Sequence, residues 1–232
     1  MTICIPYKSN NIGLSALLCM LQPQLKQNDA IYIVDNSDNG SGVMIAQMYG
    51  SSKMPILIEK AKFSIYESWN AGIDFAIQNS DNSVLFLNDD VVISQTLISN
   101  LKRSLLMSNY ACIVPTTPDR AHTSRRLDTN FQWFNKYLTE FDVVQSNWMC
   151  GFAFLIRTDF FKQTGKFDTG YKVWFGDTEM EDRLAGSIGR MTFEYVYHFG
   201  GNSYNYSDPE VQKIISQDRE RYGMAQKNKS IG

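Results

Sequence analysis

The chain has 232 residues, 44% apolar and 20% charged, a composition that excludes extensive intrinsic disorder. At about 150 residues per domain, the length fits one large domain or two small ones. Lys and Arg number 22 against 24 Asp and Glu, so the net charge of −2 excludes a whole-protein pull toward nucleic acid or anionic membrane, though not a local basic patch.

The first third alternates between two hydrophobic periods. Thr2 to Pro6 is a short apolar run, fit for a buried strand, and Ile12 to Leu21 carries apolar residues at helical spacing. Ala30 to Val34 is a second strand that stops at the turn-forming run Asp35-Asn36-Ser37-Asp38-Asn39-Gly40. Val43 to Tyr49 reads as a helix, Pro55 to Ile58 as a strand, Ile65 to Ile77 as a helix and Ser83 to Leu87 as a fourth strand. Strands and helices alternating at this spacing predict βαβ units and a largely parallel sheet. Continuous apolar runs fit strands covered on both faces. Ligands of such sheets bind beyond the carboxyl ends of the strands. The polar tips Tyr7-Lys8, Asp35-Asn36 and Asn88-Asp89-Asp90 would then converge on one rim.

The second half is less regular. Ala111 to Pro115 reads as a strand, Thr116 to Thr129 as a polar loop with Arg120, Arg125 and Arg126, and Phe131 to Phe141 as a short helix. Thr158 to Thr164 is a helical turn, Gly165 to Phe175 a loop, Glu179 to Ala185 a helix and Thr192 to His198 a strand. Pro209 opens a charged helix ending near Gly223, and Ala225 to Gly232 reads as a polar tail.

Cys4, Cys19, Cys112 and Cys150 form no CxxC pair and no Cys/His cluster, which argues against a zinc ribbon. Cys4 and Cys112 lie in apolar runs and read as buried thiols of a reducing compartment. No basic leader precedes Thr2 and no run of about 18 apolar residues occurs, so a cytoplasmic location without a membrane span is expected.

Three clusters carry chemistry. Asp89 and Asp90 would sit together at a buried strand tip, where adjacent carboxylates favour a hard divalent cation such as Mg2+ or Mn2+. A helix N-cap with an acidic first turn is the other reading of these residues. Gly176-Asp177-Thr178-Glu179-Met180-Glu181-Asp182-Arg183 offers either a solvated acidic face or a general base at a helix start, with Arg183 able to hold an anion. His198 closes a strand before Gly200-Gly201, as a metal ligand or a satisfied polar residue. No GxxxxGK or GxGxxG loop is present, which disfavours P-loop and dinucleotide enzymes.

The succession Pro6-Tyr7, Val34-Asp35-Asn36-Ser37, Trp69-Asn70-Ala71-Gly72 and Leu87-Asn88-Asp89-Asp90 continues through Gly151 to Arg157, Gly165-Lys166-Phe167-Asp168, the Asp177 cluster and His198. Together these resemble a family 2 glycosyltransferase over residues 1 to 203. The resemblance implies a single GT-A domain, α/β, with a Rossmann-like, mostly parallel central sheet flanked by helices. Asn88 stands where the family's DxD motif begins with Asp, and Gly176-Asp177 stands for its Glu-Asp pair. It further implies a donor-binding half at 1–110, an acceptor-side and catalytic half at 111–206, and a C-terminal helix and tail at 207–232. Pro6, Tyr7, Asp35, Asn70, Asn88 and Asp89 would hold the nucleotide-sugar. Asp90 and His198 would hold Mn2+ or Mg2+, and Asp177 would be the general base of an inverting transfer to a hydroxyl acceptor. Trp148, Trp174, Glu179 and Arg183 are expected on the acceptor side. The acceptor could be a glycan, a lipid-linked sugar or, in a phage-type reading, a hydroxymethylated base in DNA. A catalytically silent nucleotide-binding domain and a nucleotidyltransferase are the competing classes.

Overall fold

A computed structural model describes residues 1–51, 54–117, 142–200 and 207–229. Its elements are β1 (Thr2–Tyr7), α1 (Asn11–Leu21), β2 (Ala30–Asp35), α2 (Ser41–Tyr49), β3 (Ile56–Lys60), α3 (Ile65–Gln78), β4 (Ser83–Leu87), β5 (Val91–Ile93) and α4 (Leu97–Met107). They continue with β6 (Cys112–Thr116), β7 (Val143–Ser146), β8 (Ala153–Arg157), α5 (Thr158–Thr164), α6 (Gly176–Arg183), β9 (Ile188–His198) and α7 (Pro209–Lys229). The Phe131 to Phe141 helix and the arginines at 120, 125 and 126 lie outside the described residues.

One curled sheet runs β3-β2-β1-β4-β8-β6-β9-β5, with β7 beside β9. The first four strands are parallel. Beyond β4 the sheet is mixed: β8 is antiparallel to both β4 and β6, while β9 is parallel to β6 and antiparallel to β5 and β7. β1 is buried along its whole length, as its unbroken apolar run requires. α3 starts on a capping box, Ser64 accepting from Glu67 N while Glu67 accepts from Ser64 N. It then packs very close to β1, for a Cβ at Gly72 would lie 2.4 Å from Cys4 Sγ.

Trp69 of α3, Phe86 of β4, Phe154 of β8 and Phe167 form one aromatic core, with Phe86 and Phe154 stacked at 4.7 Å and Trp69 edge-on to Phe154 at 5.2 Å. This cluster joins the parallel and mixed parts of the sheet. Contacts of this kind are about 0.5–1.5 kcal/mol each beyond the area they bury.

Several elements depart from the expectations. β5, α4 and β7 have no counterpart in the sequence reading. β5 is three residues long and exists by pairing with Val196 to His198. β9 begins at Ile188, four residues early, because Cys112 and Ile113 offer it a parallel edge. α7 does not end near Gly223 but runs to Lys229, so residues 225 to 229 are helix rather than tail. Tyr222 and Gln226 both donate to Asp182, and these tertiary bonds outweigh the roughly 1 kcal/mol helix cost of Gly223. Among the described residues no helix is long and apolar enough to cross a membrane.

Candidate functional site

A cleft of about 870 Å3 opens at the carboxyl ends of β1, β2 and β4. Pro6, Tyr7 and Lys8 line it from β1, Asn36 and Asp38 from the turn after β2, and Lys62 and Phe63 from the segment after β3. Tyr7 is buried; its hydroxyl donates to Asn11 and lies 2.7 Å from Ser41 Oγ, and burial raises its pKa. Lys62 pairs with Asp38 at the rim. The parallel half thus supplies the positive charge of the cleft.

Asn88, Asp89 and Asp90 form the turn from β4 to β5, so the helix N-cap reading does not hold. The turn is tied on both sides. Asn88 N donates to Phe152 O at 2.9 Å, and Asp90 O accepts from Phe199 N at 3.0 Å. Asp90 Oδ1 lies 3.1 Å from His198 Nε2, and the His198 ring stacks on Phe152 at 4.2 Å and 12°. Burial, then the neighbouring Asp90 carboxylate, pushes Asp89 up to about 7.

Asn88 Oδ1 and Asp90 Oδ1 are buried without a directed hydrogen bond. The partnerless Asn88 oxygen and the Asp90–His198 pair line the same cleft, and oxygen and imidazole donors of this kind fit a divalent cation. Among the described residues no three His, Cys, Asp or Glu side chains cluster closely enough to hold a metal alone. The donor set therefore fits an ion that completes its shell with substrate oxygens, as Mg2+ characteristically does.

α6 forms the opposite wall. Phe175, just before it, has φ 69°, a left-handed conformation rare for a bulky residue. Gly176 N donates to the Tyr66 hydroxyl at 3.0 Å, and a Cβ at Gly176 would lie 2.5 Å from the Tyr66 ring. The Tyr66 ring thus leaves room at position 176 for glycine but not for a larger side chain. The Asp177 carboxylate lies against Gly151, where a Cβ would come within 2.6 Å of Asp177 Oδ2. Glu181 is one turn further along the same face and also lines the cleft. Its carboxylate accepts from Met149 N at 2.7 Å. Burial, then repulsion from Asp177 and Asp182, pushes it up to about 8.

The cleft brings together Pro6, Tyr7, Asn88, Asp89, Asp90, Asp177, His198, Trp148 and Trp174. It does not include Asp35, Asn70, Glu179 or Arg183. Asp35 is fully buried, and its carboxylate accepts from Ser37 N at 2.9 Å and Val43 N at 3.1 Å, closing the turn into α2. Asn70 is bonded both ways to the Phe167 backbone, at 2.9 and 3.0 Å. Glu179 and Arg183 pair at 2.8 Å, and Arg183 also donates to the carbonyls of Thr164, Gly165 and Lys166. Both face away from the cleft because their i,i+4 stripe is not that of Asp177 and Glu181.

Sequence reasoning passed over Glu181, Tyr66 and Lys62. For Glu181 the signal was present: it is four residues after Asp177. Tyr66 and Lys62 carry no local motif, and only the topology brings them to the cleft.

No protein-family model and no curated protein matches the sequence. Solved structures do match the fold. The crystal structure of GalNAc-T7 with UDP, GalNAc and Mn2+ superposes with a TM-score of 0.62 at 15% identity, over 90% of this chain and 45% of that one. S. aureus TarS 1–349 gives 0.61 at 11% identity over 85% and 59%, and its complex with UDP gives 0.62 at 11% over 84% and 59%. The chain spans about half the length of these proteins. The likeness shows the GT-A fold that the motif succession implied.

Proposed function

We propose that the chain is a metal-dependent, inverting glycosyltransferase that moves a sugar from a nucleotide-sugar to a hydroxyl acceptor. One observation carries the reading: a single cleft holds the Asp90–His198 pair, the orphaned Asn88 oxygen and the Asp177 carboxylate. Likeness in fold to proteins solved with UDP, and in one case Mn2+, supports the donor class.

In this reading residues 1–110 are the donor half and 111–206 the acceptor half. Pro6, Tyr7 and the Asn36 turn bind the nucleoside, and Lys8 and Lys62 offset diphosphate charge. Asp90 and His198, with Asn88 Oδ1, would hold the divalent ion. The ion would neutralise charge developing on the leaving diphosphate. Asp177 takes the proton from the acceptor hydroxyl as its oxygen attacks the anomeric carbon. The bond from that carbon to the diphosphate oxygen breaks on the opposite face, and the configuration inverts. Asp177 is chosen over Glu179, which is engaged by Arg183 outside the cleft. Glu181, protonated at neutral pH, is suited to donate a hydrogen bond to the acceptor rather than to take its proton.

Among the described residues, the acceptor wall carries Asp177, Glu181, Trp148 and Trp174. A carboxylate that takes the proton, flanked by indole faces that stack on sugar rings, suits a saccharide or other hydroxyl acceptor. Gly176 is accommodated by Tyr66 and leaves Asp177 in place, which argues for an active enzyme over a silent domain.

The test is a thermal-shift screen of UDP, GDP, CDP, ADP and dTDP, each with Mn2+ and with EDTA. One nucleotide should raise Tm selectively and only with metal, since a ligand at 100 times its Kd adds about 2.7 kcal/mol. No shift with any of the five removes the donor site.

A further inference from the structure

The loop from Gly165 to Phe175 carries Trp174 into the cleft and leads directly into Asp177, and nothing in that loop forms regular structure. Its anchor lies 44 residues further along the chain. Asp218 of α7 is 3% exposed, and its carboxylate accepts from three consecutive backbone N–H groups. These are Lys172 N at 3.1 Å to each oxygen, Val173 N at 2.8 Å and Trp174 N at 3.0 Å. A buried carboxylate satisfied by backbone donors in this way is a strong, charge-assisted fixture.

The same helix grips the loop on both sides. Arg221 forms a two-pronged pair with Asp168, at 2.8 to 3.2 Å, and covers the Tyr171 ring at 5.3 Å. The Tyr222 ring stacks on Phe175 at 5.4 Å and 21°, against the one residue held in a left-handed conformation before α6. The Tyr222 hydroxyl donates to Asp182 on α6 itself.

We infer that Asp218 is a positioning residue: through the 172–174 backbone it holds Trp174 and the start of α6 in register with the donor half, making α7 part of the acceptor site. Its transfer readout rests on the function proposed above, whereas its structural readout does not. Asp218 touches no cleft residue's reacting group and none of the donor-binding residues.

The experiment compares wild type with Asp218→Asn, whose amide keeps one acceptor oxygen, sets an NH2 donor in place of the other and removes the charge that strengthens the bonds to the 172–174 N–H groups. Amide hydrogen exchange at 172–174 should accelerate at least about tenfold, while the amides of β2 keep their rates. UDP affinity with Mn2+ should stay within about twofold. Transfer should fall about tenfold or more, mainly in acceptor KM, since small misplacements cost up to about a hundredfold. Adding Asp218→Asn to Trp174→Ala should cost less than Asp218→Asn costs wild type, since the Trp174 share of the effect is already lost.

Unchanged exchange at 172–174, or unchanged acceptor KM in the folded variant, overturns the proposal. Equal acceleration of exchange throughout the chain also overturns it, reducing Asp218 to a general stabiliser. If Asp218→Asn does not fold, Arg221→Ala tests the same clasp at an exposed pair and should show the same pattern more weakly; wild-type exchange and acceptor KM there would overturn it. If wild type transfers no sugar from any donor, the function fails and amide exchange alone decides the positioning role.

Discussion

The two halves of the sheet are built on different logic. β3, β2, β1 and β4 are parallel, contiguous in space and drawn from the first 87 residues, so local pattern and topology agree. β8, β6, β9, β5 and β7 interleave long-range partners: β5 pairs with a strand a hundred residues later, and β9 serves three neighbours at once. The donor side therefore rests on a regular scaffold. The acceptor side rests on ties between distant segments, such as Met149 N to Glu181, Gly176 N to Tyr66 and residues 172–174 to Asp218. On the proposed function, the nucleotide would bind the regular half and the acceptor the half held by long-range ties.

The same contrast governs what the sequence made legible. All four parallel strands and their helices are readable because buried parallel strands need unbroken apolar runs and their crossovers need amphipathic helices. The chemistry at their tips is readable for the same reason: Asn88-Asp89-Asp90 had nowhere to go but the rim. In the second half β5 and β7 have three and four residues, too few to show a period, and they form only because β9 offers an edge. Asp35 and Asn70 show the limit of motif transfer. Both lie near the expected place, but their side chains satisfy buried backbone groups instead of facing the cleft. α7 was legible as a helix but not as a part of the site, since the Asp218 bonds span 44 to 46 residues.

Four substitutions test whether the halves divide the work. The largest effect is expected from Asp177→Asn in the acceptor half. Turnover should drop about 10²–10⁴-fold, as for loss of a general base, while UDP affinity stays within about twofold. Steady-state kinetics beside calorimetric titration read both. Normal turnover would transfer the role of base to Glu181, the other carboxylate of that wall.

Asp90→Ala is the converse. Changes to groups that merely support metal ligands cost about 10–100-fold in affinity, so loss of a direct ligand should cost at least as much in Mn2+-dependent UDP binding. Titration with Mn2+ and with EDTA separates the metal-dependent part. If the two affinities respond equally, Asp90 is not at the ion and the division between halves loses its donor-side support.

Gly176→Ala should act on stability and transfer together. The new methyl meets the Tyr66 ring at about 2.5–2.8 Å, where something must move. Overpacking of this kind costs about 1–3 kcal/mol, or a Tm drop of about 2–12 °C for a chain of this size. UDP affinity should hold, because the Tyr66 face that must give way is the one turned to Gly176 and not to the β1, β2 and β4 tips. A variant with wild-type Tm would mean that the Tyr66 contact is loose and does not demand glycine at position 176.

The smallest effect, and the most diagnostic, concerns Glu181. Its folded pKa of about 8 lies above the ordinary 4.5, so between those values the folded chain binds a proton that the unfolded chain has released. The stabilisation this gives is complete below pH 4.5 and is lost as pH rises through about 8. Glu181→Gln keeps an oxygen for Met149 N but cannot ionise beside Asp177 and Asp182. Its Tm should match wild type near pH 5 and exceed it at pH 8.5 by about 2–8 °C, reading about 1–2 kcal/mol of relieved repulsion and desolvation. Melting curves collected from pH 5 to 9 decide the point. Parallel pH profiles would show that Glu181 is as well solvated as a surface carboxylate, and the acceptor wall would then be an open acidic face instead of the enclosed one that the Met149 bond creates.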